Sequence, residues 1–408
     1  MHIVIIGAGQ AGGRAAEALR AVDADCAITL VGVETHPPYE RPPLSKGVLT
    51  GAQPVATTYL NPTEFYAANR IVLRLGVTAT EIDRAGRRVH LDDGGVLGYD
   101  ALLLTTGARA RRLAIPGADG ADIHHLRDID DCLALSRTLG PGRRLAVIGA
   151  GFIGLEVAAA ARALETEVTV VEFGAHPLGR VAPPALGAWF ADLHRAHGVD
   201  LRLGAAATAI DRDGSAPLTL RLADGEAIRA DALAVGIGAV PNTELAAAAG
   251  LAVDDGIVVD EFGRTSDPAI FAAGDVTRHW NPLLCRSLRL EAWQNAQNQA
   301  IAVARAMVSE GTGTAAPHAE IPWFWSDQYD VNLQSAGHFD PAGAVVWRGD
   351  PTGKAFALFY LMGDRLVGAS TVNQGREMRM IRKRIAEDRP IDPRLLADTT
   401  LKLADCLI

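Results

Sequence analysis

Gly7, Gly9 and Gly12 follow the apolar run Ile3-Val4-Ile5-Ile6 at the spacing G-x-G-x-x-G. At that spacing the first glycine permits a tight turn, the second lets an anionic ligand approach the backbone, and the third lets a following helix pack on the strand. Gln10 and Ala11 complete the turn, and the Ala-rich pattern from Ala15 to Leu19 predicts the helix. The free N–H groups and positive dipole end of such a helix stabilise a pyrophosphate without any cationic side chain. A second apolar strand, Ala27 to Val31, ends near Glu34, whose carboxylate suits ribose hydroxyls. The whole pattern recurs. Leu145-Ala146-Val147-Ile148 runs into Gly149, Gly151 and Gly154, with Phe152 and Ile153 inside the motif, then a helix through Ala163, a strand from Glu167 to Val171, and Glu172. One such motif is weak evidence; two copies in strand–turn–helix context, each followed by an acid, imply two dinucleotide sites.

A chain of 408 residues, 49% hydrophobic and 21% charged, has the balance of a globular protein and predicts about two to four domains, enough to enclose a large cofactor. Lys and Arg number 39 against 48 Asp and Glu, a net charge of -9 that opposes nonspecific attraction to nucleic acid or anionic lipid. No nucleic-acid or membrane partner is expected. Cys26, Cys132, Cys285 and Cys406 are scattered, without Cys-x-x-Cys or zinc spacing, so no metal site is expected. Four dispersed thiols suit a reducing compartment. The strand beginning at the first residues leaves no room for a signal-peptide core, and no apolar run approaches the about 18 residues of a membrane span, so a cytoplasmic location is expected.

Two further landmarks are Leu102-Leu103-Leu104-Thr105-Thr106-Gly107-Ala108 and Ile270-Phe271-Ala272-Ala273-Gly274-Asp275. With these, nearly the whole chain resembles the two-dinucleotide flavoprotein reductases. The resemblance implies an α/β fold with two Rossmann-like dinucleotide-binding domains in a glutathione-reductase-like arrangement, plus a C-terminal α+β domain. It implies FAD and NADH as cofactors, an FAD domain over 1–109 and 233–316, an NAD domain over 110–232, and a C-terminal domain over 317–408. It also sets Thr106, Gly107 and Asp275 beside the FAD, and Gly236 and Gly238 on the return crossing into the FAD domain.

Many such reductases pass electrons to a redox-active cysteine, but the corresponding stretch here, 37–47, contains no sulfur. Disulfide-reductase and cysteine-peroxidase chemistry is therefore disfavoured, and electrons must leave the flavin directly. The run Tyr39-Glu40-Arg41-Pro42-Pro43-Leu44-Ser45-Lys46 instead resembles the ferredoxin reductases of bacterial oxygenase systems, the putidaredoxin and aromatic-ring-dioxygenase reductases, and their relative apoptosis-inducing factor. Two prolines restrict the loop that carries Arg41 and Lys46. The resemblance implies that Lys46 lies near flavin N5 paired with Glu156, which helps position the nicotinamide. It further implies that Ala292 and Trp293 open a helix aimed at the flavin, and that Trp325, with Trp323, lines the flavin on the partner-facing side.

Arg376, Arg379 and Lys383 share a face at helical spacing within a basic run, and are the candidate docking residues for an acidic [2Fe-2S] ferredoxin, Rieske-type or plant/adrenodoxin-type. The expected activity is NADH:ferredoxin oxidoreduction feeding an aromatic-ring-hydroxylating dioxygenase or a cytochrome P450, by a monomer or homodimer. Lys46, Glu156 and Trp325 are the candidate catalytic residues. Two other readings share the fold: a stand-alone NADH oxidase or small-acceptor reductase, and a redox-sensing flavoprotein like apoptosis-inducing factor. Glu172, with no Arg from Phe173 to Leu178, predicts preference for NADH over NADPH.

Overall fold

The computed structural model describes residues 1–213, 217–309 and 316–407; Ile408, the last residue of the expected C-terminal domain, lies outside them. The chain divides into two compact units, one of residues 1–41, 56–109 and 240–322, the other of residues 42–55, 110–239 and 323–408.

In the first unit, five parallel strands run in the order Ile270–Ala272, Ala101–Leu104, His2–Ile6, Ala27–Gly32, Ile71–Leu75. Alternation along His2–Ile6 sends Ile3 and Ile5 to one face and Val4 and Ile6 to the other, and all four are buried. On the first face, Ala15, Ala16 and Leu19 of helix Gln10–Val22 meet Ala300, Val303, Ala304 and Met307 of helix Trp293–Val308. On the second, Leu102 and Leu104 pack with Val89, Leu91, Ile257 and Val259. The alanines keep both helices close to the sheet, and each fully buried Ile or Leu contributes about 1.5–3 kcal/mol.

The second unit repeats the plan. Its parallel sheet has the order Asp200–Leu203, Glu167–Glu172, Arg144–Ile148, Ala232–Val235, Ile123–His124. Arg144–Ile148 lies between Glu167–Glu172 and Ala232–Val235, as His2–Ile6 lies between Ala27–Gly32 and Ala101–Leu104. The internal repeat read from the glycines is thus a repeat of topology. An antiparallel sheet follows, in the order Trp323–Gln328, Val331–Gly337, Arg365–Val372, Phe356–Met362, Ala344–Gly349. Loop 42–55 belongs to this unit because Cys132 Sγ donates to Leu44 O at 3.1 Å and Ser136 Oγ donates to Leu49 O at 2.9 Å.

Among the described residues no helix is long and apolar enough to cross a membrane. None of the His, Cys, Asp and Glu described form a group of three or more suited to a metal ion.

Candidate functional site

The two glycine turns are built alike. Gly7 has φ +114° and Gly149 φ +99°, values a side chain rarely tolerates, and a Cβ on either would strike a backbone carbonyl, that of Thr105 in the first turn and that of Gly236 in the second. The middle glycines differ. A Cβ on Gly9 would meet only Arg41 Nη2 at 3.9 Å, and one on Gly151 only Gly236 O at 3.9 Å, so each turn keeps open room above its centre. Gly9 and Gly151 are the N-caps of helices Gln10–Val22 and Phe152–Ala163; neither helix has a side-chain cap or an acid in its first turn. Their first N–H groups are therefore unspent on side chains, the condition an anion needs.

Gln10 is buried, yet its carboxamide oxygen and nitrogen have no hydrogen-bond partner among the described residues. A buried amide without partners is costly unless a bound group supplies them, which fits a nucleotide over the first turn. Glu34 is held by Arg41, whose Nη2 lies 2.6 Å from Glu34 Oε1, and by the Tyr39 hydroxyl. Arg41 also donates to Tyr39 Oη at 2.8 Å, so it sits between the acid and Gly9. Thr106 donates its hydroxyl to Asn242 O at 2.7 Å, while Asn242 N donates to Gly107 O. These residues shape the loop through Asn242, four residues beyond Gly238. A Cβ on Gly274, at φ +85°, would lie 3.0 Å from Ala11, so the Gly274-Asp275 turn abuts the first glycine-turn helix. Ala292 caps helix Trp293–Val308 in extended conformation, again without a side-chain cap.

In the second turn, Glu172 accepts from Ala150 N and from Gly174 N, both at 2.6 Å. The acid that follows the repeat thus already faces its glycine turn. Ile153 is exposed, Phe152 packs on Phe324 with ring centroids 4.7 Å apart, Gly236 backs the turn, and Gly238, at φ +106°, lies beside the Arg180 guanidinium.

Glu156, 4% exposed, is the centre of a dense polar cluster. Lys46 Nζ donates to its Oε2 at 2.6 Å and to Pro42 O at 3.2 Å. Ser45 Oγ also donates to Oε2, and Ser326 Oγ donates to Oε1 at 2.6 Å. The pairing of Lys46 with Glu156 inferred from resemblance is therefore present, and two serines complete it. Strand Trp323–Gln328 explains the second: alternate residues Phe324, Ser326 and Gln328 reach Phe152, Glu156 and His194, while Trp323 and Trp325 share the opposite face, stacked at 5.3 Å. Trp325 Nε1 donates to Asp327 Oδ2 at 3.1 Å. The neighbouring thiol of Cys132 is buried, and burial pushes it up to about 11, away from the nucleophilic thiolate.

The basic run differs from expectation in one respect. Its helix is Met378–Glu387, so Arg376 lies in the preceding short turn Gly375–Glu377, off the helix. Arg379 and Lys383 are exposed one turn apart, whereas Arg384 is buried and donates to Pro390 O at 2.6 Å.

Residues 1–300 match the family model described as pyridine nucleotide-disulphide oxidoreductase, and residues 323–407 match the model described as reductase C-terminal. The anthranilate 1,2-dioxygenase system ferredoxin–NAD(+) reductase component of Burkholderia cepacia is 46% identical over 402 residues, covering 98% of each chain. Putidaredoxin reductase of Pseudomonas putida is 38% identical over 413 residues, covering 100% of this chain and 96% of that one. The crystal structure of the covalent putidaredoxin reductase–putidaredoxin complex superimposes with TM-score 0.93 at 37% identity, covering 100% of this chain and 98% of that one. This chain belongs to the pyridine nucleotide-disulphide oxidoreductase family, among its ferredoxin–NAD(+) reductases.

Proposed function

We propose that the protein is an FAD-dependent NADH:ferredoxin oxidoreductase that supplies an oxygenase, either a ring-hydroxylating dioxygenase or a cytochrome P450. The observation that carries this reading is Lys46, on a loop that has no sulfur of its own, paired with Glu156 of helix Phe152–Ala163. A disulfide reductase needs a reactive thiol there; this loop presents an ammonium held by a buried carboxylate. Relatives named as ferredoxin–NAD(+) reductase components of dioxygenase systems support the acceptor class.

FAD, when bound, accepts two electrons as hydride from NADH and releases them singly to an iron–sulfur protein. The chain's own residues bind and orient. Gly7, Gly9 and Gly12 form the turn for the FAD pyrophosphate, Gln10 and Ala11 offer their N–H groups, and Glu34 takes the ribose hydroxyls beside Arg41. Thr106, Gly107, Asp275, Ala292 and Trp293 complete that site. Gly149, Gly151, Phe152, Ile153 and Gly154 receive NADH, with Glu172 for its ribose and Gly236 and Gly238 behind the turn. Lys46 provides positive charge where reduction builds negative charge, and Glu156 holds that ammonium while orienting the nicotinamide. Trp325 faces the acceptor, and Arg376, Arg379 and Lys383 attract an acidic [2Fe-2S] ferredoxin.

We assign residues 1–109 and 240–316 to FAD, 110–239 to NADH and 317–408 to a C-terminal domain; the expected boundary at 233 falls inside strand Ala232–Val235, which pairs with Arg144–Ile148 in the second unit's sheet. The four cysteines, none in a disulfide, support a cytoplasmic location, and the working form is a monomer or homodimer. The test is reconstitution. With FAD, NADH and cytochrome c, reduction should depend on an added [2Fe-2S] ferredoxin. Fast oxygen consumption without ferredoxin would overturn the reading in favour of an oxidase.

A further inference from the structure

Glu156 lies at the end of a buried polar chain that none of the roles above requires. Ser326 Oγ is 2.6 Å from Glu156 Oε1; Gln328 Nε2 is 3.0 Å from Ser326 Oγ; His194 Nε2 is 2.8 Å from Gln328 Oε1; Tyr329 Oη is 3.0 Å from His194 Nδ1. Ser326, Gln328 and His194 are each no more than 1% exposed.

The proton positions follow from the carboxylate outward. An ionised carboxylate only accepts, so Ser326 donates to Glu156. Ser326 then accepts from Gln328, which turns the amide nitrogen of Gln328 toward Ser326 and its oxygen toward His194. A carbonyl oxygen only accepts, so His194 carries its proton on Nε2. Its Nδ1 is therefore bare and accepts from the Tyr329 hydroxyl. Every donor points toward Glu156, and reversing any one member breaks the chain. Burial, which pushes His194 down to about 4, keeps the ring neutral as this arrangement requires.

Tyr329 is placed at some conformational expense. It occupies the two-residue turn between Gln328 and Val331 with φ +55°, in the left-handed region that favours glycine. Its ring lies flat on His197, centroids 3.6 Å apart and planes 11° from parallel, which fixes the hydroxyl on His194.

We infer that Tyr329 and His194 are positioning residues for Glu156, acting through Gln328 and Ser326 along a one-way hydrogen-bond chain. The inference rests on the reading of Glu156 as the carboxylate that holds Lys46 and orients the nicotinamide. Without the Tyr329 hydroxyl, His194 is free to move its proton to Nδ1, Gln328 to flip, and the Ser326 hydroxyl to leave Glu156. Glu156 then keeps Lys46 and Ser45 on one oxygen and nothing fixes the other.

Two measurements on the FAD-loaded protein test this. In ¹⁵N-histidine-labelled protein, His194 should be neutral with its proton on Nε2 across about pH 5.5–8, and Tyr329→Phe should shift the proton toward Nδ1. A proton on Nδ1, or on both nitrogens, in the unmodified protein would overturn the chain. The second is the rate of flavin reduction by NADH in a stopped-flow instrument. Tyr329→Phe and Ser326→Ala should each slow it by about three- to tenfold, and the double variant should be no slower than Ser326→Ala. Additive effects would show independent structural roles and sink the inference. If Tyr329→Phe does not fold, His194 variants decide the matter. His194→Gln keeps a donor at the Nε2 position and should retain most of the rate, whereas His194→Asn keeps a group only at the Nδ1 position and should not. Equal rates in these two would overturn the inference. Failure of NADH to reduce the unmodified protein would refute the functional reading, while the tautomer would still decide the chain.

Discussion

A Cβ on Gly12 would stand 1.9 Å from the carbonyl oxygen of Gly7, and in the second turn a Cβ on Gly154 would stand 2.0 Å from that of Gly149. The third glycine of each motif is therefore needed by the fold, because backbone meets backbone there. The middle glycine is not, since Gly9 has open space.

The two positions should separate folding from binding. Gly12→Ala forces the helix off its strand and should cost about 3 kcal/mol. Gly9→Val should leave the melting temperature of the apoprotein nearly unchanged yet abolish the FAD retained on purification. Equal FAD content in Gly9→Val and the unmodified protein would mean that no pyrophosphate lies over this turn.

The glycine turns and their strands were legible because they are local: a few consecutive residues dictate turn, helix start and strand end. The Glu156 cluster was only half legible. Resemblance pointed to Lys46, and Ser45 adjoins it in the same run, but Ser326 and Gln328 on one strand and His194 on a helix are distant in the chain, and only the register of Trp323–Gln328 against two helices joins them to Glu156. The basic run shows a third case. Arg376, Arg379 and Lys383 share a face only if one helix contains all three, and its start at Met378 removes Arg376 while turning Arg384 inward.

Glu172 is bonded to Ala150 N and Gly174 N, so its charge is fixed beside the second turn, where it suits ribose hydroxyls and repels a 2′-phosphate. The ratio of kcat/KM for NADH to that for NADPH should be at least about tenfold, a difference of about 1.4 kcal/mol. Glu172→Ala should narrow it. Arg180, beside Gly238, is the cation to examine if NADPH proves equal.

Turnover should need no sulfur. Although Cys132 touches the loop at Leu44, burial raises its thiol to about 11, which keeps it protonated at neutral pH. Cys132→Ala should lose about 1–2 kcal/mol of stability, from the missing hydrogen bond and a small cavity. Its NADH-to-ferredoxin rate should be retained at a temperature where it is folded. A large loss of rate in folded protein would revive disulfide chemistry.

Acid should weaken the first unit through His279. This ring is 2% exposed, faces His318 at 5.6 Å, and has no hydrogen-bond partner on either nitrogen among the described residues. Burial, with some help from His318, pushes it down from 6.5 to about 4. The unfolded chain therefore binds the proton first, and stability that is full above about pH 6.5 is lost as pH falls toward 4, by on the order of 2–3 kcal/mol. His279→Phe keeps a ring and loses no bond, so it should raise the melting temperature at pH ~5 more than at pH ~8. Parallel melting profiles for the two proteins between those values would refute the assignment.

Docking and chemistry are separable on helix Met378–Glu387. Arg379 and Lys383 are its exposed cations, and the pairing of Lys383 with Glu387 at 3.7 Å is a solvent-exposed contact of little weight. Arg384 must be left alone because it is buried and tied to Pro390 O. Changing Arg379 and Lys383 to Glu should therefore spare the fold while reversing the charge an acidic ferredoxin meets. The KM for ferredoxin should rise about tenfold or more at low salt, and the salt dependence of the reaction should flatten, because screening over about 8 Å at 0.15 M no longer removes an attraction. Reduction of the flavin by NADH without ferredoxin should stay at the unmodified rate, which distinguishes lost docking from a damaged domain. Unchanged ferredoxin kinetics and salt slope would mean that this helix face is merely solvated and that the acceptor approaches elsewhere.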